Sequence, residues 1–303
     1  MKKFGGLSRY EKLREGKALC PLLEITSPKD FDNLSPYRQA SDRLFLELPE
    51  YLSEKSNGLK EDVDSLLEVH SSQNEFYREY EDKIDIPVIS GRPVPETLEA
   101  YRTARERFGE VAVRLFLSRE LDDGELAEMN RLGHELRETD YAIFDLVDTV
   151  DMDRGDYGYL EALADIFSAS RTIVANAMNV YSGEPYNWGP ETAAEHGFNG
   201  FGDFAVGGRY PPVAIPNFHE ATKIVRHYGV GDFEINEFEG DSYEEAAQSL
   251  EAWKPWRKSH CPFCRQLGRR EDDCTSHMAK QVRVGHYIHS VLENDLELMD
   301  EQT

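Results

Sequence analysis

The chain predicts an α/β fold: a (β/α)8, TIM-barrel-like domain followed by a C-terminal extension made of a hairpin and a Cys/His segment. Three observations predict it. From the N-terminus to about residue 206, short apolar runs alternate with longer amphipathic ones, the rhythm of βα units around a parallel sheet. No G-x-G-x-x-G or P-loop follows any of these runs, so the runner-up, a doubly wound open sheet, lacks its phosphate-binding loop. Beyond residue 206 the rhythm breaks, and three of the four cysteines fall within one short stretch.

Strands are expected at Lys3-Phe4-Gly5 and at 19–26, 44–48, 86–90, 111–118, 141–147, 172–177 and 203–206. Helices are expected at 10–15, 61–80, 95–108, 124–138 and 157–169. Pro93-Val94-Pro95-Glu96 and Asp122-Asp123-Gly124-Glu125 are start signals for two of them. Leu98, Tyr101, Ala104 and Phe108 recur at helical spacing and should face the sheet. Eight such units with right-handed crossovers close most economically as a barrel. The segment between Asn176 and Gly202, with its turn-rich, aromatic run Tyr181 to Pro190, suits an ordered loop at its mouth.

The barrel-like domain is assigned to 1–220 and the extension to 221–303. In the extension, Ile224-Val225-Arg226-His227-Tyr228 and Phe233 to Phe238 read as a hairpin, followed by helices over 242–253 and 278–295.

The Cys/His stretch is Cys261-Pro262-Phe263-Cys264, nine residues, then Cys274-Thr275-Ser276-His277. Each half can place two ligands on one side of a tetrahedral ion, and thiolate plus imidazole suits zinc. Cys261, Cys264, Cys274 and His277 are therefore the expected metal ligands. Four protein ligands leave no open position, so the zinc should be structural. Disulfides or plain buried cysteines are the competing readings; Cys20, in an apolar run, reads as a small core residue.

The formal net charge is -24, from 58 acidic and 34 basic residues. An acidic, lysine-poor surface suits a protein kept hydrated in concentrated salt. No signal-peptide-like start and no run of 18 apolar residues is present, which leads us to expect a soluble, cytoplasmic protein in a reducing compartment, without a membrane partner.

Four segments of the last third, in order, are Phe201-Gly202-Asp203-Phe204, Ile224 to Tyr228, Glu239-Gly240-Asp241-Ser242-Tyr243 and Arg283-Val284-Gly285-His286-Tyr287-Ile288-His289. With Pro21-Leu22-Leu23-Glu24-Ile25 near the start, they resemble the phage beta-protein family (beta family proteins) and its bacterial and archaeal relatives. The acidic composition points to a haloarchaeal or archaeal-virus member. The resemblance implies a barrel-like fold and a virus, mobile-element or defence setting more than it implies chemistry. Two departures stand out: the family's paired histidine appears as His286 and His289, and the Cys/His segment is not part of the family's pattern.

Barrel chemistry sits at the carboxyl ends of strands, where this chain places Glu24, Glu47, Arg92, Asp145, Asp148, Asn176 and Asp203. Glu24, Glu47, Arg92, Asp145 and Asp203 are thus candidate catalytic residues. They would serve a phosphoester hydrolase whose carboxylates hold a second divalent metal. The competing reading is that Glu24 and Glu47 pair with Arg43, Arg92 or Arg114 inside the barrel. Around the Cys/His stretch, Lys258, Arg265, Arg269, Arg270, Trp256 and Arg226 are candidate binding residues: a basic, aromatic patch on an acidic chain could grip nucleic acid. It could equally dock an acidic protein partner or the chain's own barrel. His286 and His289 share a helix face; packing is the favoured role, ligation the other. The leading functional expectation is a zinc-containing binding or interaction component; the alternative is the hydrolase.

Overall fold

A computed structural model gives the fold. It describes residues 20–41, 43–49, 58–70, 72–117, 121–146, 158–176, 190–203, 223–228, 235–258, 261–269, 274–276, 278–279 and 281–289. In chain order these form β1 (Leu22–Glu24), α1 (Ser35–Ala40), β2 (Phe45–Glu47), α2 (Gly58–Val69), α3 (Gln73–Glu79), β3 (Ile86–Gly91) and α4 (Pro95–Arg105). There follow β4 (Ala112–Phe116), α5 (Asp123–Glu135), β5 (Tyr141–Asp145), α6 (Gly158–Ile166), β6 (Arg171–Asn176), α7 (Pro190–Glu195) and β7 (Gly200–Asp203).

The seven strands make one parallel sheet in strict sequence order, β1 to β7. A doubly wound sheet reverses its order at a switch point; among the described residues this one does not. The sheet is curled into a half barrel, which two contacts establish. The Phe45 and Tyr141 rings, on β2 and β5, meet edge-on at 4.9 Å. Arg114 on β4 lies 3.5 Å from Glu24 on β1. Each pair is three strands apart, about 14 Å along a flat sheet at about 4.8 Å per strand, so the side chains meet only over a concave face.

Period-two alternation sorts the strand residues. Leu46, Val113, Leu115, Ala142, Phe144 and Val174 point outward into the core beneath the helices. Phe45, Ile86, Val88, Ala112, Tyr141 and Ile143 point inward and form a separate apolar layer, against which Cys20 packs.

Helix ends follow their chemistry. Pro95 opens α4 without wasting a donor, and Asp122 with Glu125 forms a capping box on α5. The helix expected over 61–80 is two helices, because Ser72 caps a fresh start, its side chain accepting from the Glu75 amide. Part of the expected mouth loop is α7, which Pro190 begins and Gly197, at φ 86°, closes. The expected strand at Lys3-Phe4-Gly5 lies outside the described residues, and of the strand expected over 203–206 only Asp203 is described, as the end of β7 (Gly200–Asp203).

In the extension, β8 (Lys223–Tyr228) and β9 (Ile235–Gly240) pair antiparallel, with Val225 opposite Phe238. Three helices follow: α8 (Tyr243–Ala252), capped by Ser242; α9 (Pro262–Leu267); and α10 (281–289). Val225, Leu250, Phe263, Leu267 and Val282 join the same continuous apolar cluster as the outer face of the sheet. The boundary drawn at residue 220 falls outside the described residues. No described helix is long and apolar enough to cross a membrane.

Candidate metal centre

Three elements of the extension converge on one buried point. On β8, alternation turns Val225 and His227 inward, leaving them 0% and 1% exposed. On α9, Cys261 is the N-cap in extended conformation, Pro262 opens the first turn, and Cys264 sits one turn on. The Cys264 amide donates to Cys261 Sγ at 3.3 Å, an N–H···S bond that favours thiolate. On α10, His286 is 1% exposed. Its neighbour Gly285 permits the approach: a Cβ there would lie 2.5 Å from the Phe263 ring, so only glycine lets α10 rest on the α9 knuckle.

The ligand atoms are close. His286 Nδ1 lies 3.4 Å from Cys264 Sγ and 3.4 Å from Cys261 Sγ. His227 Nε2 lies 3.6 Å from Cys264 Sγ. The two imidazoles stack at 3.9 Å between centroids. Ligand atoms of His227, Cys264 and His286 all fall within 4.8 Å of one another. Ligand bonds of about 2.3 Å to sulfur and about 2.05 Å to nitrogen give a tetrahedral S···N edge of about 3.5 Å, which the three separations match. This His-Cys-His group, with Cys261 at its edge, can bind a metal ion.

The sulfurs are electrostatically unequal. The Cys261 thiol is pushed down, chiefly by its hydrogen bond with the Cys264 thiol and then by His286, against the opposing effect of burial. Cys264 is pushed up by that same shared proton and by burial, and the Trp256 indole works the other way. The Trp256 N–H is buried without a hydrogen bond of ordinary geometry.

The sequence-predicted residues distribute as follows. Cys264 belongs to the group, and Cys261 lies at its edge, 3.4 Å from His286 Nδ1. Cys274 is buried, its amide donating to Glu244 at 2.9 Å and its Sγ 3.8 Å from the Thr275 carbonyl; it is not one of the His227–Cys264–His286 group. His277 lies outside the described residues. His289 is buried on α10 but is also outside the group. Linear spacing pairs Cys261 and Cys264 with the next Cys and His along the chain, whereas folding brings in histidines from β8 and α10. The signal for them was present: an inward histidine on a strand and a histidine on a helix face.

At the barrel mouth, Arg114 gathers the carboxylates. Its Nε and Nη2 donate to Asp145 Oδ2 at 2.9 and 2.7 Å, Nη1 pairs with Glu47 Oε2, and Glu24 lies 3.5 Å away. Burial pushes the Glu47 carboxyl up against the pull of Arg114. A guanidinium therefore occupies the place where the hydrolase reading puts an ion, because Arg114 projects inward from β4 among the strand ends. Arg92 turns away to pair with Glu125. Asp203 ends β7 opposite Asn176, and Asp148 lies outside the described residues.

Of the expected binding residues, Lys258, Arg265 and Arg269 are exposed, Trp256 is half-buried, and Arg270 is outside the described residues. Lys258 reaches back to the Gly268 carbonyl, and Arg226 pairs with Glu237 across the hairpin. Compared with protein-family models, with curated proteins and with solved structures, the chain finds no match.

Proposed function

We propose that this protein is a binding component: a βα-barrel scaffold, closed by an eighth strand, whose C-terminal module is stapled by one structural zinc ion. The ligands are His227 Nε2, His286 Nδ1, Cys261 Sγ and Cys264 Sγ. The observation that carries the reading is the set of S···N separations of 3.4, 3.4 and 3.6 Å between residues of three different elements. Two thiolates and two imidazoles suit zinc above harder divalent ions. With all four positions filled by protein the ion has a folding role and no site for substrate.

The exposed Lys254, Arg257, Lys258, Arg265 and Arg269 give this module a cationic surface on an acidic chain, which supports nucleic acid or an acidic protein as its partner. The Arg114 ion pairs weigh against the hydrolase reading, since the guanidinium already takes Glu47 Oε2 and Asp145 Oδ2, although Glu47 Oε1 is buried without a hydrogen-bond partner. Elemental analysis tests the metal: one zinc per chain is expected, lost with Cys261→Ser plus Cys264→Ser. Zinc retained in that double variant would overturn the assignment. A mobility-shift titration against single- and double-stranded nucleic acid tests the partner. No shift at working salt would leave the acidic protein as the partner to seek.

A further inference from the structure

Cys261 and Cys264 meet across the first turn of α9. Cys261 is the N-cap, in extended conformation at φ -153° and ψ 171°, and Cys264 stands three residues on. The Cys264 amide donates to Cys261 Sγ at 3.3 Å. His286 Nδ1 lies 3.4 Å from each sulfur, so the two sulfurs flank a single nitrogen. Residues one turn apart have Cβ atoms about 5–6 Å apart, and a disulfide needs about 3.5–4.5 Å. Side-chain rotation and a small shift of the extended N-cap close that gap without unwinding α9. The pair is also the joint of the module. Its sulfurs face His227 of β8 and His286 of α10, and Phe263, between the two cysteines, is the ring on which Gly285 of α10 rests. The other two thiols are engaged elsewhere: Cys20 packs against the inner layer of the half barrel, and Cys274 Sγ lies 3.8 Å from the Thr275 carbonyl.

We propose that Cys261 and Cys264 form a redox switch: a hydroperoxide oxidises them to a disulfide, which releases the metal ion and frees α10 from α9. The Cys261 thiolate, at the edge of the ligand group, attacks the terminal oxygen of the peroxide. The O–O bond breaks, an alkoxide or hydroxide leaves, and the sulfur becomes a sulfenic acid. The Cys264 thiolate then attacks that sulfur, forming the S–S bond and expelling hydroxide. Two electrons pass from the sulfurs to the peroxide, and the two released bases take protons from water. Disulfide sulfurs carry no thiolate charge, so two of the four ligands are lost and the imidazoles alone do not hold the ion. Both sulfurs are buried, Cys264 fully, so the oxidant has to be small and the reaction follows a local opening of the module. The inference rests on the proposed metal centre and adds to its folding role a condition under which the staple opens.

The test treats full-length, zinc-loaded protein with hydrogen peroxide, as wild type and as the variant Cys20→Ser plus Cys274→Ser. Released zinc is read with a chromogenic chelator, the bond by intact mass and peptide mapping, and α10 by hydrogen exchange. We expect each protein to lose two hydrogens in mass, to release its zinc in step with disulfide formation, and to lose protection in α10. Dithiothreitol with added zinc should reverse all three changes. A disulfide that engages Cys20 or Cys274, sulfinic acid without a disulfide, or thiols left reduced at a peroxide excess that oxidises the chelator-treated protein overturns the switch while leaving the metal assignment standing. A Cys261–Cys264 disulfide with zinc retained overturns it equally. Should the double serine variant fail to fold, peptide mapping of wild type decides alone. Reduced wild type that takes up no zinc would defeat the metal assignment instead, and the mass still reads whether the pair closes.

Discussion

His286 Nδ1 lies 3.4 Å from Cys264 Sγ although the two residues are 22 positions apart and belong to different helices. That separation matches a tetrahedral S···N edge, and on the proposed reading it implies metal-dependent stability. Removing zinc with a chelator should lower the unfolding temperature, because a structural site contributes its binding energy to folding. Circular dichroism melts with and without chelator check this. Equal melting temperatures would mean that no ion is held there. Cobalt substitution should give the intense visible bands of a tetrahedral thiolate site.

Gly285 should be intolerant of any side chain. A Cβ would lie 2.5 Å from the Phe263 ring, and overpacking of this kind costs about 1–3 kcal/mol. Gly285→Ala should therefore weaken both stability and metal retention, and a second change, Phe263→Leu, should recover part of each. Denaturant unfolding with parallel zinc analysis reads both effects.

Arg114 should be the most sensitive position inside the half barrel. Arg114→Met strips the positive charge from the buried Glu47 and Asp145, and breaking such a cluster costs about 3–5 kcal/mol. Adding Glu47→Gln should restore part of the loss.

The same carboxyl gives a pH dependence with a definite sign. The folded value for Glu47 is raised, first by burial. Its contribution is then fully present below the unfolded value of about 4.3 and is lost as pH rises through the folded value. Glu47→Gln should therefore gain stability relative to wild type between acidic and neutral pH. Urea titrations at both ends measure it, and a relative gain at the acidic end would contradict the assignment.

Tyr101→Phe should cost about 1–2 kcal/mol. The hydroxyl donates to the fully buried Asp140 at 2.7 Å, which also accepts from the Val111 and Arg137 amides. Differential scanning calorimetry would register the change, and an unchanged melting point would argue against the bond.

The sheet was legible in the sequence because buried parallel strands read as short apolar runs, and the runs around Phe45, Val88, Val113 and Ile143 stand out from their polar flanks. Short helices were not: α7 and α9 are six residues each, less than two turns, and set no periodicity. The hairpin and α8 were legible because alternation and the Ser242 cap are local signals. The metal centre was half legible. Cys261 and Cys264 announce themselves by spacing within one turn, but His227 and His286 join them only through tertiary packing, 37 and 22 residues from Cys264. The barrel-mouth carboxylates were ambiguous for a related reason: an acidic strand end looks the same in sequence whether a cation or an arginine from another strand neutralises it, and here Arg114 pairs with Glu47 and Asp145.

The central claim is that histidines from the hairpin and the last helix complete the site begun by Cys261 and Cys264. Zinc stoichiometry of His227→Ala plus His286→Ala, set beside Cys274→Ser, tests it most directly. The account predicts that the histidine variant loses its zinc while Cys274→Ser keeps one ion per chain. Zinc retained without the two histidines and lost without Cys274 would contradict it.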